Sequence, residues 1–454
     1  MERVRYSQVE KYRIDAICKE PLHIGSANGD REEVLTHPID QVPFIQASSL
    51  AGVFRSCFCQ IYGKKETERI FGYSYFSEEA EQSSRIRFTD GIFQTETIKI
   101  EIRPRLKLNS ATGTVDAKKN KGTWQYSGQK FNMQYVAAGA EVSFTIYYFG
   151  EEKETRFCQE FLTCLSAIQN GTLQFGGQKS NGCGYLELLQ VFYQHYNLKE
   201  EADRNRWMQE ENEEKSNAQK LDLSALPLAK GNRAFEIQLD GQVETELLVK
   251  GLAVTGHGRD IPDSMNIQNG KKEFIIPASS LKGTIRNRIE MIQAYKQIDP
   301  KQIDILFGKA ASKEEEGRMG LFCFYDTIVR EEKKNDNIQM RIRIDKFTGG
   351  ARRGGLFSQK NITGKVTMHI GILNGEQADQ ACALLIYALR DLANGEVAIG
   401  SGYGIGKGLI RVDQITITND RGEIGILDFQ KGMIQDPNQI LSACLQALEK
   451  QKGA

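Results

Sequence analysis

The chain has 454 residues, with 59 basic and 59 acidic side chains and a formal net charge of zero. Charged residues are 26% and hydrophobic residues 40%, the balance of a soluble globular protein of two or three domains, and there is no whole-molecule basic surface. No apolar run approaches the ~18–20 residues of a membrane span, and MERVRYSQVEKYRID lacks a signal peptide's apolar core. The nine cysteines are odd in number and form no CxxC pair, so a reduced, cytoplasmic protein without structural zinc is expected.

In chain order, residues 10–25 read as a strand and 26–42 as a polar loop. Residues 48–62 carry apolar side chains at helical spacing. Two strands are expected over 85–105, then a basic, glycine-containing segment over 109–130 as a hairpin or loop. A strand at 140–149, an amphipathic helix at 157–168 and a glycine-rich block at 171–186 follow. Residues 197–220 turn abruptly polar and read as a solvated helix or linker.

The second half repeats this plan. PFIQASSLAG (43–52) matches EFIIPASSLKG (273–283), and Arg69–Gly72 matches Ile305–Gly308. Phe88–Phe93 matches Phe324–Val329, and FGGQKSNGCGYLEL (175–188) matches IGSGYGIGKGLIRV (399–412) without a gap. Four blocks in one order indicate a tandem duplication, with domains at 1–196 and 233–454 and a charged helical linker at 197–232. The expected class is α+β, each copy a β-α-β-β-α-β ferredoxin-like unit with insertions. In the second copy Ser279 or Ser280 is placed to cap a helix over 279–296. Leu281, Ile285, Ile289 and Ile292 form its apolar face, with Arg286 and Arg288 left for another partner.

Charge is segregated. Residues 102–130 hold seven basic side chains against one acidic, and so do residues 341–365. Both occupy the same place in their repeats, as a polyanion groove requires. Trp124, Tyr126, Phe347 and Phe357 lie nearby to stack bases. The glycines at 400–408 follow a helix and precede a strand, the reverse of a dinucleotide site. They suit either close backbone approach to a phosphate chain or a tight turn. Asp260 and Asp263 lie in a loop able to hold a divalent metal or position an attacking hydroxyl, or to form a plain Asx turn. The first copy's loop holds Asp30, Glu32 and Glu33. His23 and His257 stand at neighbouring positions of the two copies, either as a general base or as structural histidines.

The SSLAG and SSLKG helix starts, the Asp326 strand, RIRIDKFTGGARRGGLF (341–357) and GSGYGIGKG resemble the RAMP superfamily of CRISPR systems, specifically the backbone subunit of type III effector complexes. The resemblance spans nearly the whole chain, once per copy, and a fused pair points to a type III-D-like setting. It implies two RRM-like palms with inserted thumb hairpins at 105–130 and 345–365. It further implies partners in guide (CRISPR) RNA, complementary target RNA and other effector subunits, with no membrane partner.

The implied activity is metal-dependent endonucleolytic cleavage of target RNA, with magnesium or manganese held by Asp263. Asp260 is a neighbouring candidate, and Asp30 is the first copy's candidate. RNA contact is expected from Ser48, Ser49, Arg55, Arg105, Lys107, Lys118, Lys119 and Lys179 in the first copy. In the second it is expected from Ser279, Ser280, Lys282, Arg286, Lys346, Arg352, Arg353, Tyr403 and Lys407. The first copy departs from the pattern: Thr36-His37-Pro38-Ile39 stands where Asp-Ser-Pro-Val is usual, Ala51 replaces Lys282, and the acid of IDKxTGG is lost. The alternatives are a non-catalytic RNA-binding scaffold and a metal-independent guide-processing ribonuclease using His23 or His257.

Overall fold

The computed structural model describes residues 6–25, 32–73, 82–106, 118–120, 123–125, 130–151, 156–209, 218–227, 231–252, 262–309, 315–331 and 338–450. Of 118–120, 123–125, Lys130 and Arg156 it describes the backbone alone. The chain forms two compact units, one of residues 1–100, 134–179 and 183–231, the other of residues 101–133, 180–182 and 232–454. No helix among the described residues is long and apolar enough to cross a membrane.

In chain order, the elements up to residue 220 are β1 (Gln8–Cys18), β2 (Phe44–Ile45), α1 (Ala47–Tyr62), α2 (Lys64–Phe71), β3 (Ile86–Phe88), β4 (Gly91–Phe93), β5 (Ile100–Leu106), β6 (Lys118–Asn120), β7 (Thr123–Gln125), β8 (Lys130–Val136), β9 (Glu141–Gly150), α3 (Arg156–Gln169), β10 (Leu186–Asn197), α4 (Glu201–Met208) and β11 (Gln219–Lys220). The first unit's sheet runs β11-β10-β1-β9-β4-β2, with β3 also on β9. The central strands are antiparallel, the order a ferredoxin-like unit requires. Period-two alternation sends Tyr12, Ile14 and Ala16 of β1 inward with Val142, Phe144 and Ile146 of β9. Leu50, Phe54 and Phe58 of α1 and Phe161 and Leu165 of α3 complete this core.

The segment expected as a linker is packed on the first unit. Trp207 of α4 sets its ring edge-on to Tyr147 and Tyr196, with centroids 5.6 and 5.4 Å away. Leu221, Leu223 and Leu226 pack on the core. One tryptophan and three leucines in a charged stretch are enough to anchor it, because apolar area rather than composition decides docking.

The remaining elements are β12 (Arg233–Val243), β13 (Ser264–Met265), β14 (Ile275–Ile276), α5 (Ala278–Lys296), α6 (Gln302–Phe307), β15 (Phe322–Phe324), β16 (Thr327–Arg330), β17 (Gln339–Ile344), β18 (Ala351–Lys360), β19 (Lys365–Leu373), α7 (Ala378–Ala393), β20 (Ile410–Asn419), β21 (Ile424–Asp428), β22 (Met433–Gln435) and α8 (Ile440–Lys450). The second unit's main sheet runs β14-β16-β19-β12-β20-β21-β22, with β15 on β19. It is the same topology, extended at the β20 edge. A separate sheet, β13-β18-β17, carries the basic hairpin. Leu281, Ile285 and Ile289 of α5 are buried as expected, and Ile292 packs on the core. Arg288 is not left for another partner: it binds Asp391 at 2.6 Å and also pairs with Glu396.

The helix start differs from the sequence expectation. Pro277, not Ser279 or Ser280, is the N-cap of α5, and neither α5 nor α1 has a side-chain cap of its own. Instead the Ala278 N–H donates to Asp326 Oδ1 at 2.9 Å, and the Ala47 N–H donates to Asp90 Oδ1 at 2.7 Å. The repeated aspartate thus caps the helix from the strand pair beside it. Within the second unit Asp326 also takes Arg103 Nη1 on Oδ2 at 2.6 Å, with both side chains nearly buried. Asp90→Ala should therefore cost about 1 kcal/mol. Asp326→Ala should cost about 3 kcal/mol, because it also leaves Arg103 short of its counter-charge. Urea denaturation of the full chain measures both, and equal losses would contradict the double role of Asp326.

Candidate nucleic-acid interface

The first unit holds a cleft of about 430 Å³ where the first turn of α1 meets the glycine block. Ser48, Ser49, Gly52, Gly176, Gly177 and Lys179 line it. In that turn the Ala47 N–H is used by Asp90, and those of Ser49 and Leu50 by the Gln46 carbonyl. The Ser48 N–H has no partner among the described residues and sits at the positive end of the helix dipole. Burial pulls the Lys179 amine below its usual range. Three of the expected RNA contacts, Ser48, Ser49 and Lys179, thus share one concave, cationic spot.

The second unit repeats the turn. Ala278 binds Asp326, Ser280 and Leu281 bind the Pro277 carbonyl, and the Ser279 N–H has no partner among the described residues. Lys282 lies one turn on, and its Nζ donates to Ser180 Oγ of the same unit at 2.8 Å. Burial first, then the charges of Arg286 and Arg105, push this amine down to about 8. Arg286 pairs with Glu290 at 2.9 Å and lies over the Phe307 ring. Arg55 is turned inward: its Nη1 donates to the carbonyls of Phe71 and Gly72 at 3.2 and 2.9 Å, closing the C-terminal end of α2.

The glycine blocks are one structure built twice. Positive φ falls at Gly176, Gln178, Gly182 and Gly184, and again at Gly400, Gly402, Gly406 and Gly408, around short 3-10 turns at Lys179–Asn181 and Tyr403–Ile405. A Cβ on Gly184 or Gly408 would meet the carbonyl of Phe175 or Ile399 at 1.9 or 2.1 Å, so only glycine fits. Tyr403 is 61% exposed on this turn. Lys407 is 3% exposed, and its Nζ binds Glu246 Oε2 at 3.1 Å. It holds the block to the segment that follows β12 rather than facing outward.

The backbone bonds also correct the histidine pairing. The His23 carbonyl takes the Gly177 N–H just as the Leu248 carbonyl takes the Ser401 N–H. His23 therefore stands at the place of Leu248, and it is buried, with Nδ1 at 2.8 Å from the Gln134 carbonyl. His257 lies outside the described residues.

The second basic stretch is the β17–β18 hairpin. At its tip Asp345 accepts the N–H groups of Thr348 and Phe347, an Asx turn that holds its carboxyl low. Lys346, Arg352 and Arg353 are exposed there, and Phe347 is 86% exposed. In the first repeat, β5 and β8 pair and Arg105 is described. Lys107 and the side chains of Lys118 and Lys119 lie outside the described residues.

Asp263 is exposed just before β13. Its Oδ2 accepts the Ser358 N–H at 2.6 Å and the Ser358 hydroxyl at 3.0 Å, while its own N–H donates to Ser358 Oγ at 2.9 Å. These bonds hold the carboxyl below its usual range. Oδ1 has no partner among the described residues. Asp260 and Asp30 lie outside them. No three His, Cys, Asp or Glu side chains come together among the described residues. A single accessible carboxylate still suits Mg²⁺ or Mn²⁺, since such ions bind through one or two carboxylates with substrate phosphates and water. Sequence reasoning missed Ser358 and Glu246, which are distant in sequence from Asp263 and Lys407 and carry no motif.

The Lys407–Glu246 pair makes a checkable distinction on one turn. Lys407→Met should cost about 2 kcal/mol, below the usual price of a broken buried pair because Glu246 is partly solvated. Tyr403→Ala should stay within about 0.5 kcal/mol. Denaturation midpoints read both, and a neutral Lys407→Met would contradict the structural role.

No curated protein matches the chain. A solved structure described as the cryo-EM structure of the type III-B Cmr-beta bound to cognate target RNA is similar at 17% identity and a TM-score of 0.29. The match covers 41% of this chain and 61% of that one, so it spans about three fifths of the other chain's length. The family that matches is the RAMP superfamily, over residues 16–187 and 246–411. Those two matches take in well over half of the sequence, one in each repeat, and the chain belongs to the RAMP superfamily.

Proposed function

We propose that this protein is a guide-RNA-binding backbone subunit of a type III CRISPR effector complex, and that its second repeat cleaves the complementary target RNA with a divalent metal. Asp263 carries the reading: an exposed carboxylate, fixed by Ser358, at the root of a hairpin whose tip exposes Lys346, Phe347, Arg352 and Arg353. The cleft of Ser48, Ser49 and Lys179 in one unit and the Ser279 turn in the other each supply phosphate donors. Phe347 offers a stacking face for a base.

In this mechanism Asp263 would hold the metal through Oδ1, with Oδ2 kept on Ser358. A Mg²⁺ or Mn²⁺ held there would supply Lewis-acid polarisation of a phosphoryl oxygen. The hairpin cations orient the backbone so that one phosphodiester reaches the carboxylate. The test is cleavage of a guide-complementary RNA by the assembled complex, with Asp263→Ala and Asp30→Ala singly and together. Asp263→Ala should remove one discrete cut and leave target binding intact, and EDTA should remove it in the unmodified complex. An unchanged pattern in the double variant would make the subunit a scaffold, and a cut that persists in EDTA would favour metal-independent chemistry.

Lys282 gives this reading a pH dependence. Its amine is pushed down to about 8, so it is charged at pH 7 and largely neutral at pH 9. Guide-RNA affinity should fall across that range. Lys282→Arg should flatten the profile, since a guanidinium stays charged. Fluorescence anisotropy with labelled guide RNA measures it, and an identical slope in both proteins would remove Lys282 from the interface.

A further inference from the structure

We infer that Ser358 is the positioning residue for Asp263, and that this clamp restricts cleavage competence to the second repeat. The inference rests on the reading of Asp263 given above.

The three hydrogen bonds between the two residues are reciprocal. The Ser358 hydroxyl accepts the Asp263 N–H and donates to Oδ2, while the Ser358 N–H donates to the same oxygen. A hydroxyl both accepts and donates through one oxygen, which lets a side chain as short as serine close the pair. Ser358 is buried while Asp263 is exposed, so the anchor is protected and the carboxylate is presented. The next residues continue the attachment as a parallel pair, Ser264 with Gln359 and Met265 with Lys360. β18 also pairs with β17 on its other side. The carboxylate is therefore fixed to the hairpin sheet, and Oδ1 is the oxygen left to act.

The first repeat shows what the clamp requires. The Leu35 N–H meets the Ile24 carbonyl as the Ile267 N–H meets that of Val249, and Leu22 bridges Val136 as Leu247 bridges Ile362. Counting back four residues from each pair sets Arg31 against Asp263 and Asn132 against Ser358. Arg31 itself lies outside the described residues. Neither the acid nor the hydroxyl is present in the first repeat at these positions, and Asp30 is one residue away from the position.

The experiment uses the assembled complex with guide and complementary target. Ser358→Ala should slow single-turnover cleavage on the order of tenfold, because a charged group loses a hydrogen bond and its fixed geometry. Target affinity should be unchanged, and Ser358→Thr should restore the rate. Amide hydrogen exchange at 263–265 should be faster in Ser358→Ala than in Ser358→Thr, a readout independent of cutting. A normal rate in Ser358→Ala with Asp263→Ala inactive would overturn the clamp alone. Equal losses of rate and affinity in both Ser358 variants would also overturn it, since that outcome marks general damage to the hairpin. Normal cutting by Asp263→Ala would overturn the reading of Asp263 and the clamp with it.

Discussion

Each half of this protein depends on a helix that is capped by another element. Gln46 and Pro277 precede α1 and α5 without offering a side-chain cap, and Asp90 and Asp326 reach in from a neighbouring strand pair to take the first amide. The consequence is chemical as well as mechanical. A serine at the N-cap would turn its hydroxyl back onto its own helix. With the aspartate doing that work, the two serines of the first turn keep their hydroxyls at the helix mouth, beside an amide with no internal partner. One carboxylate per repeat therefore ties the helix start to the strand pair beside it.

Much of this was legible in the sequence because it was written twice. The Asp block, the SSL helix start and the glycine block recur in order, and recurrence separates constraint from accident where a single copy would not. The order of strands and helices followed from periodicity, and the ferredoxin-like plan from that order. What stayed hidden were interactions between residues with no motif and no proximity in sequence. Ser358 lies 95 residues from the carboxylate it holds. Lys407 and Arg55 are expected RNA contacts, and Glu246 and a pair of helix-end carbonyls bind them. Arg288 was set outside the apolar face, and Asp391 was waiting for it. A helical wheel shows which side chains leave a core but not whether an ion pair awaits them.

The repeats share a scaffold and differ in what they present. A bulge facing the first strand is kept in both, with Leu189 of β10 the extra residue opposite Asp15/Ala16 and Asp413 of β20 opposite Asp240/Gly241, and the first-strand aspartate there accepts a hydrogen bond from Ser143 or Thr367 across the sheet. Such bonds maintain the fold and stay fixed. The positions that differ lie on loops and helix starts: Ala51 against Lys282, Lys179 against Tyr403, and Cys183 against Lys407. Divergence has gone to loops and helix starts, and at Lys407 it comes with a partner, Glu246.

The parallel pairing of β13 with β18 has a metric consequence. Seven residues of β18 separate Ser358 from Ala351 at the hairpin's outer end. β17 covers the same length in four positions, Met340 to Ile344, because β18 bulges between Leu356 and Ala351, so at a strand rise of about 3.3 Å per residue the span is roughly 13 Å. A carboxylate bonded to one end of such a strand and a cationic tip carried by the other act as the two jaws of a caliper. The distance between that tip and the acid is then set by the pairing of β18 with β17, bulge included.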